Sequence, residues 1–136
     1  MLLALACSWH LGTAPTSGFE LVRTSAVVVE PGVEEVVGSA VVQALAARRA
    51  LGSTPLELSI TRAELRPGRR TGDTVIYDLT LAVEFRAGER SRLVTVRSTL
   101  PDPGTAGAAA VDRSAAFRAL AESAALEGVA WLTLGQ

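Results

Sequence analysis

The stretch Arg70-Thr71-Gly72-Asp73-Thr74-Val75-Ile76-Tyr77, continued by Asp78-Leu79-Thr80-Leu81-Ala82-Val83-Glu84-Phe85-Arg86, decides the fold. Val75, Tyr77, Leu79, Leu81, Val83 and Phe85 recur at every second position, and Asp78, Thr80, Glu84 and Arg86 fill the gaps. Period-2 alternation held over this length predicts a long strand with one buried and one wet face. Ahead of it, Arg66, Arg69 and Arg70 are interspersed with the turn formers Pro67, Gly68 and Gly72, which predicts a cationic turn over 66–73.

Working outward, Leu56, Leu58 and Ile60 alternate with Glu57, Ser59 and Thr61 and predict a strand on the N-terminal side of that turn. On the other side, Ala87-Gly88-Glu89 reads as a tight turn. It leads into a strand in which Val94, Val96 and Leu100 alternate with Thr95, Arg97 and Thr99. These three strands form an antiparallel meander. Pro101-Asp102-Pro103-Gly104 ends it, and an Ala-rich segment from Ala106 to Trp131 reads as a helix, with Phe117, Leu120, Ala121, Ala124 and Trp131 near one face and Thr105 or Asp112 as its cap.

Upstream, Val33, Val36, Val37, Ala40, Val41, Ala44 and Leu45 follow i, i+3, i+4 spacing, the mark of an amphipathic helix. Glu34 and Glu35 fall in its first turn and Arg48 and Arg49 in its last, as the helix dipole favours. Ser25-Ala26-Val27-Val28-Val29, β-branched and continuously apolar, reads as a first strand buried on both faces. The order is β-α-β-β-β-α. The fold class expected is α+β, with two helices packed on one face of a four-stranded mixed sheet.

The chain has 136 residues and a net charge of −1, which suits one domain and provides no global basic field for nucleic acid. All 13 basic residues are arginine. Residues 62 to 97 hold eight of them against five acids, so the central hairpins are positive and the flanks negative. A single Cys forms no internal disulfide, and with a single His it makes no conventional zinc site. No apolar run reaches the roughly 20 residues needed to span a bilayer as a helix.

The first residues, Met1-Leu2-Leu3-Ala4-Leu5-Ala6-Cys7-Ser8-Trp9-His10-Leu11-Gly12, are apolar up to a small residue followed by Cys and then turn polar. This is how a lipoprotein signal peptide ends, with Cys7 acylated after cleavage at Ala6. The other reading is a greasy start with a buried free thiol. On the first reading, residues 1–6 are a signal-peptide remnant, 7–18 a lipidated tether and 19–136 the folded domain.

No arrangement in the chain points to catalysis. Cys7 and His10 could pair in principle, but acylation removes the thiol, and the carboxylates are scattered. No P-loop or dinucleotide fingerprint is present, and no metal or cofactor is expected. What remains is Arg66, Arg69 and Arg70. Guanidinium forks suit phosphate and carboxylate, so the cluster reads either as an anion site or as a solvated hairpin turn.

Cys7-Ser8-Trp9-His10-Leu11 resembles the mature start of LptE-type lipopolysaccharide-assembly lipoproteins, with Ser8 where a glycine is usual. Glu30-Pro31-Gly32-Val33-Glu34 ahead of an apolar helix is similar to members from GC-rich lineages. Arg70-x-Gly72-x-Thr74-x-x-Tyr77 before an alternating strand resembles the family's second-to-third strand junction, and Arg97-Ser98 followed by Asp102-Pro103 also fits. The resemblance runs over nearly the whole mature chain in the same element order. It implies a non-catalytic lipoprotein held by its lipid at the periplasmic face of the outer membrane. It further implies that the protein plugs and helps assemble an LptD-type β-barrel, binds lipopolysaccharide, and has no nucleic-acid partner. By the same resemblance Arg70 is the lipopolysaccharide-contacting residue, helped by Arg69 and Arg66. The family's second basic position falls in Ala108-Ala109-Ala110, which carries no charge, leaving that contact to Arg66, Arg69 or Arg113.

Overall fold

In the computed structural model, which describes residues 18–27, 30–101 and 106–134, six elements follow in the order β-α-β-β-β-α. They are β1 (Phe19–Ala26), α1 (Val33–Ala47), β2 (Thr54–Thr71), β3 (Thr74–Ala87), β4 (Arg90–Pro101) and α2 (Ala106–Leu134). The strands lie in the order β1-β2-β3-β4; β1 is parallel to β2 and the other two pairings are antiparallel. Both helices cover the same sheet face: α1 packs on β1, α2 on β3 and β4, and the helices pack on each other. The expected architecture is therefore the observed one.

The core lies between helices and sheet. Leu79, Leu81, Val83 and Phe85 of β3 are fully buried, together with Leu56, Leu58 and Ile60 of β2. Val37, Val41 and Leu45 of α1 and Ala121, Ala124, Val129 and Leu132 of α2 close over them. Each large apolar side chain removed from water contributes about 1.5–3 kcal/mol. Phe85 reaches α2 where that helix has no side chain: a Cβ at Gly128 would lie 2.2 Å from the tip of the Phe85 ring. Among the described residues no polar or charged residue is buried.

Two sequence expectations are corrected. The first strand is Phe19–Ala26 and shares only Ser25 and Ala26 with the expected run 25–29; Val27 lies beyond its end and is exposed, and Val28 and Val29 fall outside the described residues. The register shifts between Leu21 and Arg23, so Leu21, Thr24 and Ala26 sit over the core side of β2 while Arg23 and Ser25 take the opposite face. The bulge breaks the alternation by which a strand is recognised. This strand has only one covered face, so a uniformly apolar run was the wrong pattern to seek.

Secondly, the Arg-rich segment is strand, not loop. β2 continues through Pro67, Arg69 and Arg70 to Thr71, and the turn is the dipeptide Gly72-Asp73 between the paired Thr71 and Thr74. Gly72 has φ 62, which suits the first central position of a two-residue hairpin turn. Gly88, with φ 64, does the same between Ala87 and Arg90. Smaller boundary differences are that α2 runs on past Trp131 to Leu134, and that α1 ends at Ala47, so Arg48 is its C-cap and Arg49 lies beyond it rather than both in the last turn.

Candidate functional site

Two shifts of register shape the long β2–β3 hairpin. Between Ile60 and Arg62 the inward phase changes from even to odd positions, so Ala63 and Leu65 continue the core side begun by Leu56, Leu58 and Ile60. Between Pro67 and Arg70 two residues, Gly68 and Arg69, oppose the single Ile76. Glycine is required there, because a Cβ on Gly68 would meet the Ile76 carbonyl oxygen at 2.7 Å and Asp78 Oδ2 at 2.9 Å. β1 pairs with β2 only as far as Ile60, so among the described residues the rest of β2 is a sheet edge. Pro67 and the arginines lie on this edge, where proline is tolerated and charge discourages pairing with another chain.

Residues 66–74 are exposed on both faces, so the hairpin projects past the core. From Arg66 to Thr71 the strand extends about 17 Å at strand rise. Arg69 lies in the bulge and Arg70 pairs with Val75, on the face that nearer the body meets the helices. Both are exposed, and among the described residues neither is in an ion pair.

Arg66 belongs to the other face. It pairs across the strands with Asp78, and its guanidinium grips Glu64, with Nε donating to Oε2 at 3.1 Å and Nη2 lying 3.0 Å from the same oxygen. Arg62 approaches Glu64 from the other side at 3.4 Å. The three arginines expected to act together are thus divided: Arg69 and Arg70 at the tip, Arg66 on the open sheet face.

Arg113, the other stand-in for the unmatched second cation, is already committed. It forks onto Glu30, with Nε donating to Oε1 at 3.1 Å and Nη2 to Oε2 at 2.5 Å, tying the approach to α1 onto α2. Cys7 and His10, like Ala108, Ala109 and Ala110, lie outside the residues whose side chains are described. Trp131 is half-buried under the Arg90 guanidinium, 4.7 Å from its ring centre, and Tyr77 is half-buried near the tip.

The sheet face away from the helices carries Arg23, Glu57, Arg86, Glu84, Arg62, Glu64, Arg66, Asp78 and Arg97 by register. Arg86 bonds Glu84 at 2.7 Å along the same strand. Such exposed pairs contribute little stability, with medians of about 0–1 kcal/mol; their interest is as a recognition surface. Reading the arginines by proximity in sequence missed Arg62 and Arg97. Alternation in β4 did put Arg97 on the wet face, but its neighbours come from β2 and β3 and follow only from register. Among the described residues no cluster of His, Cys, Asp and Glu is placed to hold a metal, and no helix is long and apolar enough to cross a membrane.

A comparison with protein-family models finds no match, and neither does one with curated proteins. Solved structures do match. A minor lipoprotein from Acinetobacter baumannii superposes with a TM-score of 0.54 at 15% identity, covering 85% of this chain and 95% of that one. A candidate lipoprotein from Caulobacter crescentus gives 0.56 at 15% identity over 90% and 96% of the two chains. A Xanthomonas campestris protein of the DUF330 family gives 0.55 at 17% identity over 91% and 90%. At these identities the likeness is one of fold, and it extends over nearly the full length on both sides.

Proposed function

We propose that this chain is a non-catalytic subunit of a lipopolysaccharide translocon: a lipoprotein, anchored through Cys7 at the periplasmic face of the outer membrane, that plugs and helps assemble an LptD-type barrel and binds lipopolysaccharide. One observation carries the reading: the β2–β3 hairpin lifts Arg69 and Arg70 clear of the body on a two-stranded support, with neither guanidinium in an ion pair among the described residues. The shared fold with lipoproteins supports it, as does the lipoprotein-like N-terminal sequence. Arg70 and Arg69 pair with phosphates of the glycolipid, at about 1.5–3 kcal/mol for each charge-assisted bond. This loosens the packing and cation bridging of lipopolysaccharide without breaking a covalent bond. Arg66, turned onto the other face, engages only groups that reach around the hairpin.

The test is lipopolysaccharide capture by the purified chain. Arg70→Glu is expected to cut capture at least tenfold while the fold, read by circular dichroism, is unchanged; equal capture by the variant refutes the role of Arg70. A second reading, a lipoprotein that scaffolds other envelope proteins without touching lipopolysaccharide, is favoured by the open sheet face with its alternating charges. It predicts that Arg70→Glu is silent while charge reversals at Glu57 or Arg86 release a protein partner.

A further inference from the structure

We infer that the open face of the sheet holds a second anion-recognising site, separate from the hairpin tip, that takes a sugar phosphate and in which Arg97 binds the phosphate. A depression of about 530 Å³ lies there, lined by Arg62, Glu64, Arg66, Asp78, Thr80 and Arg97 among others. Register sets the frame. Glu64 is paired with Thr80 and Thr80 with Arg97; one row away, Arg66 is paired with Asp78 and Asp78 with Thr99. From strand spacing and rise, the Arg97 backbone lies about 12 Å from that of Arg66 and about as far from that of Arg62. Three long guanidinium side chains therefore surround one shallow basin from both sides.

The chemistry differs around the basin. Glu64 is shared by Arg62 and Arg66 and offsets half of their combined charge. Arg97 is exposed, and among the described residues it has no ion pair. It is the cation available to a phosphate, which a guanidinium fork meets with two parallel hydrogen bonds. The rest of the lining alternates acceptors and donors: the carboxylates of Glu64 and Asp78, the hydroxyls of Thr80 and Thr99, and the remaining N–H groups of Arg62 and Arg66. Vicinal sugar hydroxyls, each both donor and acceptor, match such a lining. A bare polyanion does not, because Glu64 and Asp78 would repel it. The lining has no aromatic residue on which a base could stack, which disfavours single-stranded nucleic acid.

A sugar phosphate could come from the head group of a phosphorylated glycolipid, which rests on the function proposed above, or from a free metabolite. The experiment titrates the isotopically labelled full chain with glucosamine 1-phosphate, glucosamine and inorganic phosphate, followed by amide chemical shifts. Glucosamine 1-phosphate is expected to move Thr80, Arg97 and Thr99, with glucosamine at least fivefold weaker. Arg97→Glu, and Arg97→Gln as the milder variant, should weaken binding at least fivefold, whereas Arg118→Glu, at an exposed position of α2 on the other side of the sheet, should change it less than twofold. Unmoved signals at these three residues, an unaffected Arg97→Glu, or inorganic phosphate binding as tightly as the sugar phosphate each overturn the site. Adding vesicles that carry lipopolysaccharide separates the sources. Broadening of the same signals, lost in Arg97→Glu, supports the glycolipid head group. A response to soluble sugar phosphate alone supports the site and counts against the lipopolysaccharide reading.

Discussion

Arg49 holds the left-handed conformation, φ 53, that usually falls to glycine after a helix. Around it the Ala50 N–H bonds the Leu45 carbonyl at 2.8 Å and the Arg49 N–H bonds the Ala46 carbonyl at 3.0 Å, so α1 closes with a Schellman motif built on an arginine. Arg49→Gly should therefore stabilise the protein, by about 0.5–1 kcal/mol, seen as a higher urea midpoint with unchanged slope. Gly128 presents the opposite case. Any side chain there must displace the Phe85 ring, and Gly128→Ala should destabilise by about 1–3 kcal/mol. Combining it with Phe85→Leu should recover part of that loss, so a double-mutant cycle in urea denaturation checks the contact. Neither effect was legible in the sequence. One depends on where a helix stops, and the other on which aromatic crosses which turn of α2.

At the scale of elements, legibility followed the regularity of the alternation. β3 and β4 could be read residue by residue because they contain no bulge and each keeps one phase throughout. β1 and the outer half of β2 could not. A bulge beside Val22 hides the period of the first, and the phase change at Thr61 ends the visible pattern of the second. Pro67, Gly68 and Gly72 then imitated a loop, although Pro67 sits on a free edge and Gly68 in a bulge. The candidate site was half legible for the same reason: the arginines were found, but their division between tip and sheet face needed the register. The hairpin itself is separable. Removing residues 70–75 joins Pro67 to Tyr77 through three residues and removes no fully buried side chain. The shortened chain should keep its helical and sheet signals and a melting temperature within about 5 °C of the full chain, as expected when little core is lost. It should lose lipopolysaccharide capture. A collapse of the near-native spectrum would show that the tip supports the fold.

Among the described residues, one sheet face is sealed by two helices and the other is open, with a cationic hairpin projecting from the end of the sheet opposite the Gly88 turn. The lipid anchor is a separate expectation, tested by mass spectrometry of the native N-terminus, where the account expects acylated Cys7 as the first residue and an unmodified thiol would argue against anchoring. The most direct test of the central claim is to solubilise membranes of cells that make this protein in mild detergent and capture it by a C-terminal tag. The account predicts recovery of a large outer-membrane β-barrel in near-equal amount, together with lipopolysaccharide that Arg70→Glu diminishes. Recovery of the chain alone, with neither barrel nor lipopolysaccharide, would contradict it.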